Sequence, residues 1–266
     1  MTRTTELAAI DKTESSSVIS VRNLTISYGS RIIQKNVSFE VKSGSVFAIM
    51  GPSGCGKSTL IRSMVGLLQP TSGTILVNGT NYWSQSDRKR VEINRSFGVV
   101  FQSGAIWSSM TVGENVALPL QMFTSLNARS IRQLVQLKLG LVGLSDAIDL
   151  YPSEISGGML KRAGLARALA LDPKILLFDE VSAGLDPIAS ARLDDLILAL
   201  RDGLGATILM VSHELPSLLA LADDGIFLST IERTAIAHGS PQYLKQDCNI
   251  SEVFNFMHRL AGTTET

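Results

Sequence analysis

Five consecutive apolar residues, Val46–Met50, lead into Gly51-Pro52-Ser53-Gly54-Cys55-Gly56-Lys57-Ser58, and this octet opens a helical pattern through Leu60, Ile61, Met64, Val65 and Leu68. Strand, glycine-rich loop and helix in that order constrain the chain more than any other feature. The octet gains its meaning only where a buried strand delivers it to a helix start. Glycine lets the backbone curl until several N–H groups face one anion, and the following helix adds the positive end of its dipole. The sequence therefore predicts a loop for the phosphates of a nucleotide, made of Gly51, Pro52, Ser53, Gly54, Cys55, Gly56, Lys57, Ser58 and Thr59. Lys57 would reach the β- and γ-phosphates, and Ser58 would offer a hydroxyl to Mg²⁺. Cys55 fills an unspecified position of the pattern and is given no catalytic part.

Further apolar runs at 98–101, 174–178, 207–211 and 226–228 are separated by helical stretches, as in a mostly parallel sheet covered on both faces. Ahead of them, between 18 and 41, apolar residues alternate, as at Val37, Phe39 and Val41, which predicts short strands of a small antiparallel sheet. From about 110 to 171 no strand pattern occurs, while Ile131, Leu134, Val135 and Leu139 recur at helical spacing. The expected fold class is α/β, with a parallel-sheet core, an antiparallel β subdomain and a helical subdomain. The expected organisation is a flexible tail over 1–17, one domain over 18–240, and a C-terminal helical extension and tail over 241–266. In that extension Phe254, Met257 and Leu260 would form one apolar stripe on a helix over 253–260.

Composition narrows the partners. Lys plus Arg and Asp plus Glu both number 24, so no excess of positive charge favours nucleic acid. Cys55 and Cys248 stand far apart, with no metal-ligand spacing, which fits a reducing, cytosolic compartment. The apolar runs are shorter than the roughly 20 residues of a membrane-spanning helix. The polar first 17 residues, with Glu6, Asp11 and Glu14, read as neither a secretion signal nor a transit peptide.

The strand pattern over 175–178 ends in two carboxylates, Asp179 and Glu180. Taken alone these are solvated acids at a strand end. Beside a phosphate loop, Asp179 is expected to hold the Mg²⁺ shell and Glu180 to orient and polarise an attacking water.

Ser156-Gly157-Gly158-Met159 makes the chain resemble the ABC ATPases, over nearly all of 18–239. In that family a Ser and two glycines open a helix that binds the γ-phosphate held by a second copy of the domain; here Ser156 would cap the helix and Gly157 and Gly158 would give backbone contacts. Met159 stands where Gln is usual. The resemblance further implies that Tyr28 stacks on adenine, that Gln102 joins the Mg²⁺ site to the membrane partner, that Asp186, closing 183–186, crosses the dimer, and that His213 is a switch histidine on the γ-phosphate. Val181 replaces the usual Pro after the catalytic Glu. His238 and His258 match no family motif.

The stretch 101–120, with Ser-Gly-Ala after Gln102, together with Met159 and the Ser-Ala-Gly-Leu-Asp-Pro of 182–187, resembles the ATPases of the Mla-type, MCE-associated phospholipid transporters. Implied are ATP and Mg²⁺ as cofactors and a second copy of the chain as partner. Transmembrane permease subunits, an MCE-type substrate-binding protein and a small accessory subunit follow from the same resemblance, as does a peripheral place on the cytoplasmic side of the inner membrane. Ile106, Trp107 and Met110 would help line the docking face. An importer of small polar solutes is the alternative; a soluble ABC ATPase acting on ribosomes or DNA, or a regulatory module without turnover, fits the sequence less well.

Overall fold

The computed structural model describes residues 17–102 and 104–260. Residues 1–16, Ser103 and residues 261–266 lie outside the described part, so the tail expected at 1–17 is met only at Ser17, which already belongs to a strand.

Alternation builds the first layer. Strands β1 (Ser17–Tyr28) and β2 (Arg31–Lys42) pair antiparallel about a tight turn at Gly29, whose φ is 57°. They bury Ile19, Val21, Leu24 and Ile26 with Val37, Phe39 and Val41. Two 12-residue strands stand where short ones were expected. Breaks in register, one of them spanning Asn23 at φ 48°, interrupt the ladder as bulges do and bend the long ribbon.

Strand β3 (Val46–Met50) belongs to a second sheet, whereas β4 (Ser72–Val77) and β5 (Thr80–Asn81) complete the first in the order β2-β1-β4-β5. In the second sheet β3 runs parallel with β6 (Phe97–Val100), β7 (Ile175–Asp179), β8 (Thr207–Val211) and β9 (Asp224–Leu228). An antiparallel strand, β10 (Ala235–His238), closes one edge, giving the order β10-β9-β3-β8-β7-β6. Every residue of β3, β7 and β8 is buried because each face of the sheet has its own core. Phe47 and Ile49 face the antiparallel sheet and helix α1 (Lys57–Met64), while Ala48 and Met50 face the remaining helices. That two-residue period is the strand pleat expressed as two cores.

Helix α1 ends at Met64, short of the expected Leu68, because Gly66 at φ 85° breaks it; a Cβ there would stand 2.1 Å from the Tyr82 hydroxyl. Leu67 consequently lies exposed. Helix α2 (Asp87–Asn94) leads to β6. Between β6 and β7 the chain is helical: α3 (Val112–Phe123), α4 (Ala128–Leu141) and α5 (Gly157–Ala168). Ile131, Val135 and Leu139 are buried at the expected spacing, with Leu134 packed at the margin. Helices α6 (Pro187–Leu204) and α7 (Leu215–Leu221) flank β8.

The C-terminal pair is α8 (Pro241–Asp247) and α9 (Ser251–Met257). Here the expected stripe is corrected. Phe254 and Leu260 are exposed, and the buried face of α9 is Val253 with Met257. Four residues of separation set two side chains one above the other, and Phe256 adds an edge-on contact with Phe227 at 5.2 Å. Burying each aliphatic side chain contributes roughly 1.5–3 kcal/mol, which holds a seven-residue helix too short to persist by itself.

Candidate nucleotide-binding site

The parallel strands all deliver their C-terminal ends to one edge of the sheet, where open α/β folds bind ligands. β3 leads to Gly51, β8 to His213, β7 to Glu180 and β6, one residue earlier than the sequence suggested, to Phe101 and Gln102.

The loop after β3 has the shape its glycines dictate. Gly51 adopts φ 141° and a Cβ there would lie 2.4 Å from the Leu228 carbonyl oxygen; Gly54 and Gly56 adopt φ 81° and 105°. Gly56 caps α1 with backbone alone, so the first amides of the helix meet no capping side chain and are directed at the loop. Lys57 is buried, and its Nζ donates to the carbonyls of Gly51 at 2.8 Å and Pro52 at 3.0 Å, bridging the loop. Cys55 lies inside the core, its thiol pushed up by burial and its N–H donated to Pro52. Its side chain thus forms floor and offers nothing to a phosphate. Pro52, Ser53, Ser58 and Thr59 lie at the surface of the loop or half-buried in it.

Asp179 and Glu180 differ in environment. Asp179 is buried at the end of β7 and accepts a 2.7 Å hydrogen bond from Ser58 Oγ. Burial pushes its carboxyl up, the Ser58 hydroxyl pulls it back, and the neighbouring Glu180 charge pushes it up again. Glu180 sits at φ 53°, a conformation unusual outside glycine, with its N–H donated to Val211 at 2.9 Å. Its Oε1 lies 3.1 Å from His213 Nδ1. Such an outlier, held by the sheet beside the Asp179 carboxylate and the His213 imidazole, is the kind of strain found at functional sites. Gln102 is exposed two residues beyond the Val100–Phe178 pair, on the same edge. Tyr28 is 47% exposed at the tip of the β1–β2 hairpin, whose Gln34 touches the loop.

Ser156 and Asp186 are placed elsewhere. Ser156 caps α5 by accepting from the Met159 N–H at 3.3 Å, and a Cβ on Gly157 would meet open space. Asp186 Oδ1 caps α6, accepting from Ile188 and Ala189 at 3.0 Å. Both line a cleft of about 700 Å³ with Gly157, Gly158 and Gly184. No residue of the phosphate loop lines it. The structure therefore gathers Lys57, Ser58, Asp179, Glu180 and His213 in one group and Ser156–Gly158 with Asp186 in another.

Four further residues, none singled out by the sequence, brace the segments that carry these groups. Gln34 is 1% exposed and supports the phosphate loop. Lys161 Nζ donates to the Ala183 carbonyl, tying α5 to the loop before α6; burial lowers this ammonium and Glu180 and Glu214 raise it. Arg167 donates to the carbonyls of Ala105 at 2.7 Å and Gly104 at 3.2 Å, so the segment after Gln102 is fixed to α5. Gly164 makes room for that contact, since a Cβ there would lie 2.9 Å from Gly104 O.

Asn115 is fully buried; its Oδ1 accepts from Trp107 N at 2.8 Å and its Nδ2 donates to the carbonyls of Trp107, Met110 and Thr111 at 2.9–3.2 Å. Asn115→Ala should cost about 1–3 kcal/mol by stranding those groups and should loosen 106–111. Urea unfolding and limited proteolysis read this out; an unchanged midpoint with no new cleavage would contradict it. Within that segment Trp107 is exposed, Met110 half-buried, and Ile106 packed against the core, so of the three apolar residues expected at the docking face Trp107 presents the most surface.

The sequence profile described as "ABC transporter" matches residues 34–183, from the strand under the phosphate loop to the segment after Glu180. The chain belongs to the ABC transporter family. The intermembrane phospholipid transport system ATP-binding protein MlaF of Haemophilus influenzae is 41% identical to this ABC protein over 236 residues, 89% of each chain. MlaF of Escherichia coli K12 is 42% identical over 228 residues, 86% of this chain and 84% of that one. The dimeric post-hydrolysis structure of the ATP-binding cassette MJ0796 bound to ADP and Pi superposes with a TM-score of 0.77 at 28% identity, over 83% of this chain and 97% of that chain. This ABC protein is accordingly an ATP-binding ATPase with the ABC fold. Among the described residues no helix is long and apolar enough to cross a membrane.

Proposed function

We propose that two copies of this ABC ATPase close around two ATP molecules, each held by the phosphate loop of one copy and the Ser156 helix of the other, and so drive phospholipid transport through membrane-embedded permease subunits. The observation that carries the composite site is the separation, within one chain, of the Lys57–Glu180–His213 group from the Ser156–Asp186 cleft. A helix start with open space over Gly157 is suited to an anion delivered from outside the chain.

The residues present fit Mg²⁺. Ser58 Oγ and Asp179 Oδ1 form an all-oxygen pair with a single carboxylate, the donor set of an ion that takes its remaining ligands from phosphate and water. Bound there, Mg²⁺ would neutralise charge on the β- and γ-phosphate oxygens. Lys57 and the first amides of α1 orient the phosphates, Tyr28 offers a ring to adenine, and Gln102 faces the same edge. Glu180 receives the proton side of the attacking water, with His213 holding its Oε1. Loss of the γ-phosphate removes the anion shared with Ser156, and the dimer opens. Arg167 and Asn115 carry that movement to Trp107 and to a groove of about 310 Å³ lined by Arg95, Phe97, Pro119 and Phe123, where a permease helix would dock.

Phospholipid as cargo is supported by identity above 40% along most of the chain to two proteins named for that transport. With it go an MCE-type substrate-binding protein, a small accessory subunit, and a peripheral position on the cytoplasmic face of the inner membrane. The test is purification of the detergent-solubilised complex and its reconstitution in phospholipid vesicles. Permease and MCE-type subunits should co-purify with bound phospholipid, and ATPase activity should rise several-fold over that of the isolated chain. A complex with a solute-binding protein that carries no lipid would overturn the cargo assignment.

A further inference from the structure

The floor beneath the phosphate loop is built from segments remote in sequence. Gly51 packs against the Leu228 carbonyl so closely that no Cβ fits. Gln34 Nε2 donates to Cys55 O at 2.5 Å and to Ser229 O at 3.3 Å, clamping the loop to the turn after β9. The Lys35 N–H reaches Arg233 O at 2.7 Å and closes that turn against β2.

From the far side the turn is held by α9. Ser229 is wholly buried; its hydroxyl accepts from the N–H groups of Ile231 and Glu232 at 3.0 Å and donates to Glu252 Oε2 at 2.5 Å. The Thr230 N–H donates to Glu252 Oε1 at 3.2 Å. Both carboxylate oxygens are thus engaged, and the packing of Val253 and Met257 fixes where they stand.

We propose that Glu252 is a positioning residue for nucleotide binding, which through Ser229 and Gln34 holds the phosphate loop at the curvature the nucleotide phosphates require. The inference rests on reading residues 51–58 as that loop. Glu252 touches no phosphate-facing atom, so its effect is transmitted. The Glu252 carboxylate is close enough to the loop to help raise the Cys55 thiol, after the larger effect of burial. Its field therefore opposes a bound polyanion, and removing the charge alone would tighten ATP binding. Glutamine keeps the length of Glu252 but offers one acceptor oxygen where Ser229 and Thr230 need two, and it points N–H groups at the other donor.

The test is ATP binding and steady-state ATPase of the full chain carrying Glu252→Gln or Ser229→Ala, with thermal melts confirming the fold and Lys57→Ala as reference. Both variants should raise Kd and KM for ATP about 5–20-fold, equivalent to about 1–1.8 kcal/mol, while kcat at saturating ATP stays within about twofold. Ser229→Ala changes no residue of α9 and decides the matter if Glu252→Gln does not fold. A residue that served stability alone would lower the melting temperature and leave Kd of the folded protein unchanged. Unchanged or tighter binding in the folded variants, with Lys57→Ala weakened, overturns the role of Glu252; unchanged binding in Lys57→Ala overturns the reading of the loop itself.

Discussion

Glu180→Gln should bind ATP as tightly as the native chain and hydrolyse it at less than about a hundredth of the native rate, the scale on which a positioned acid or base contributes. The phosphate loop, Lys57 and the Ser58–Asp179 pair are untouched by this change, so binding is preserved. What is lost is the carboxylate that would polarise the water. Glutamine is nearly isosteric and can retain a contact with His213, so the φ of 53° at this position and the 3.1 Å approach need not relax. Equilibrium nucleotide binding and phosphate release, measured on the same preparation, separate the two effects. Near-native release would remove Glu180 from the chemistry.

Ser156→Arg should be as severe for a different reason. The Ser156 hydroxyl caps α5 at 3.3 Å, and losing a helix cap costs only about 1 kcal/mol. The fold therefore survives. Within the chain, Ser156 is separated from Lys57 and Glu180, so a single copy gives no reason for an arginine there to affect hydrolysis. Across a dimer the long cation would fill the open space over Gly157 where the γ-phosphate of the other copy belongs. Turnover should fall at least about a hundredfold, as for loss of a preorganised group facing the transferred phosphoryl, while binding of ATP to the phosphate loop is retained.

The parts of this architecture legible in the sequence are those written over short distances. Val46–Met50 with its glycines specified strand, loop and helix together, and the paired acids at Asp179 and Glu180 marked the same sheet edge, because motif and hydrophobic period are both local. Ser156 and its glycines placed the chain in its family before any geometry was available. The residues that passed unnoticed act across long separations. Gln34 bonds to Cys55 and Ser229, the latter 195 positions away, and in sequence it is one polar residue in a strand whose alternation a register shift has already blurred. Asn115 resembles any helix residue until its four bonds to 107–111 are seen. The stripe expected at Phe254, Met257 and Leu260 failed because helical spacing identifies an apolar face without saying how much of it the core covers. Of the α9 residues, only Val253, Met257 and Phe256 join the core.

The most direct test of the composite site is the ATPase activity of an equimolar mixture of Lys57→Ala and Ser156→Arg chains, compared with each alone. Each variant by itself places a defect in both sites of its dimer and should be almost inactive. Random pairing makes about half of the dimers mixed, and in each of these one site joins an intact phosphate loop to an intact Ser156 helix. The account predicts recovery to about a quarter of native activity, rising with total protein concentration as dimers form. A mixture no more active than the average of its two components, or a Ser156→Arg chain that is fully active alone, would contradict it.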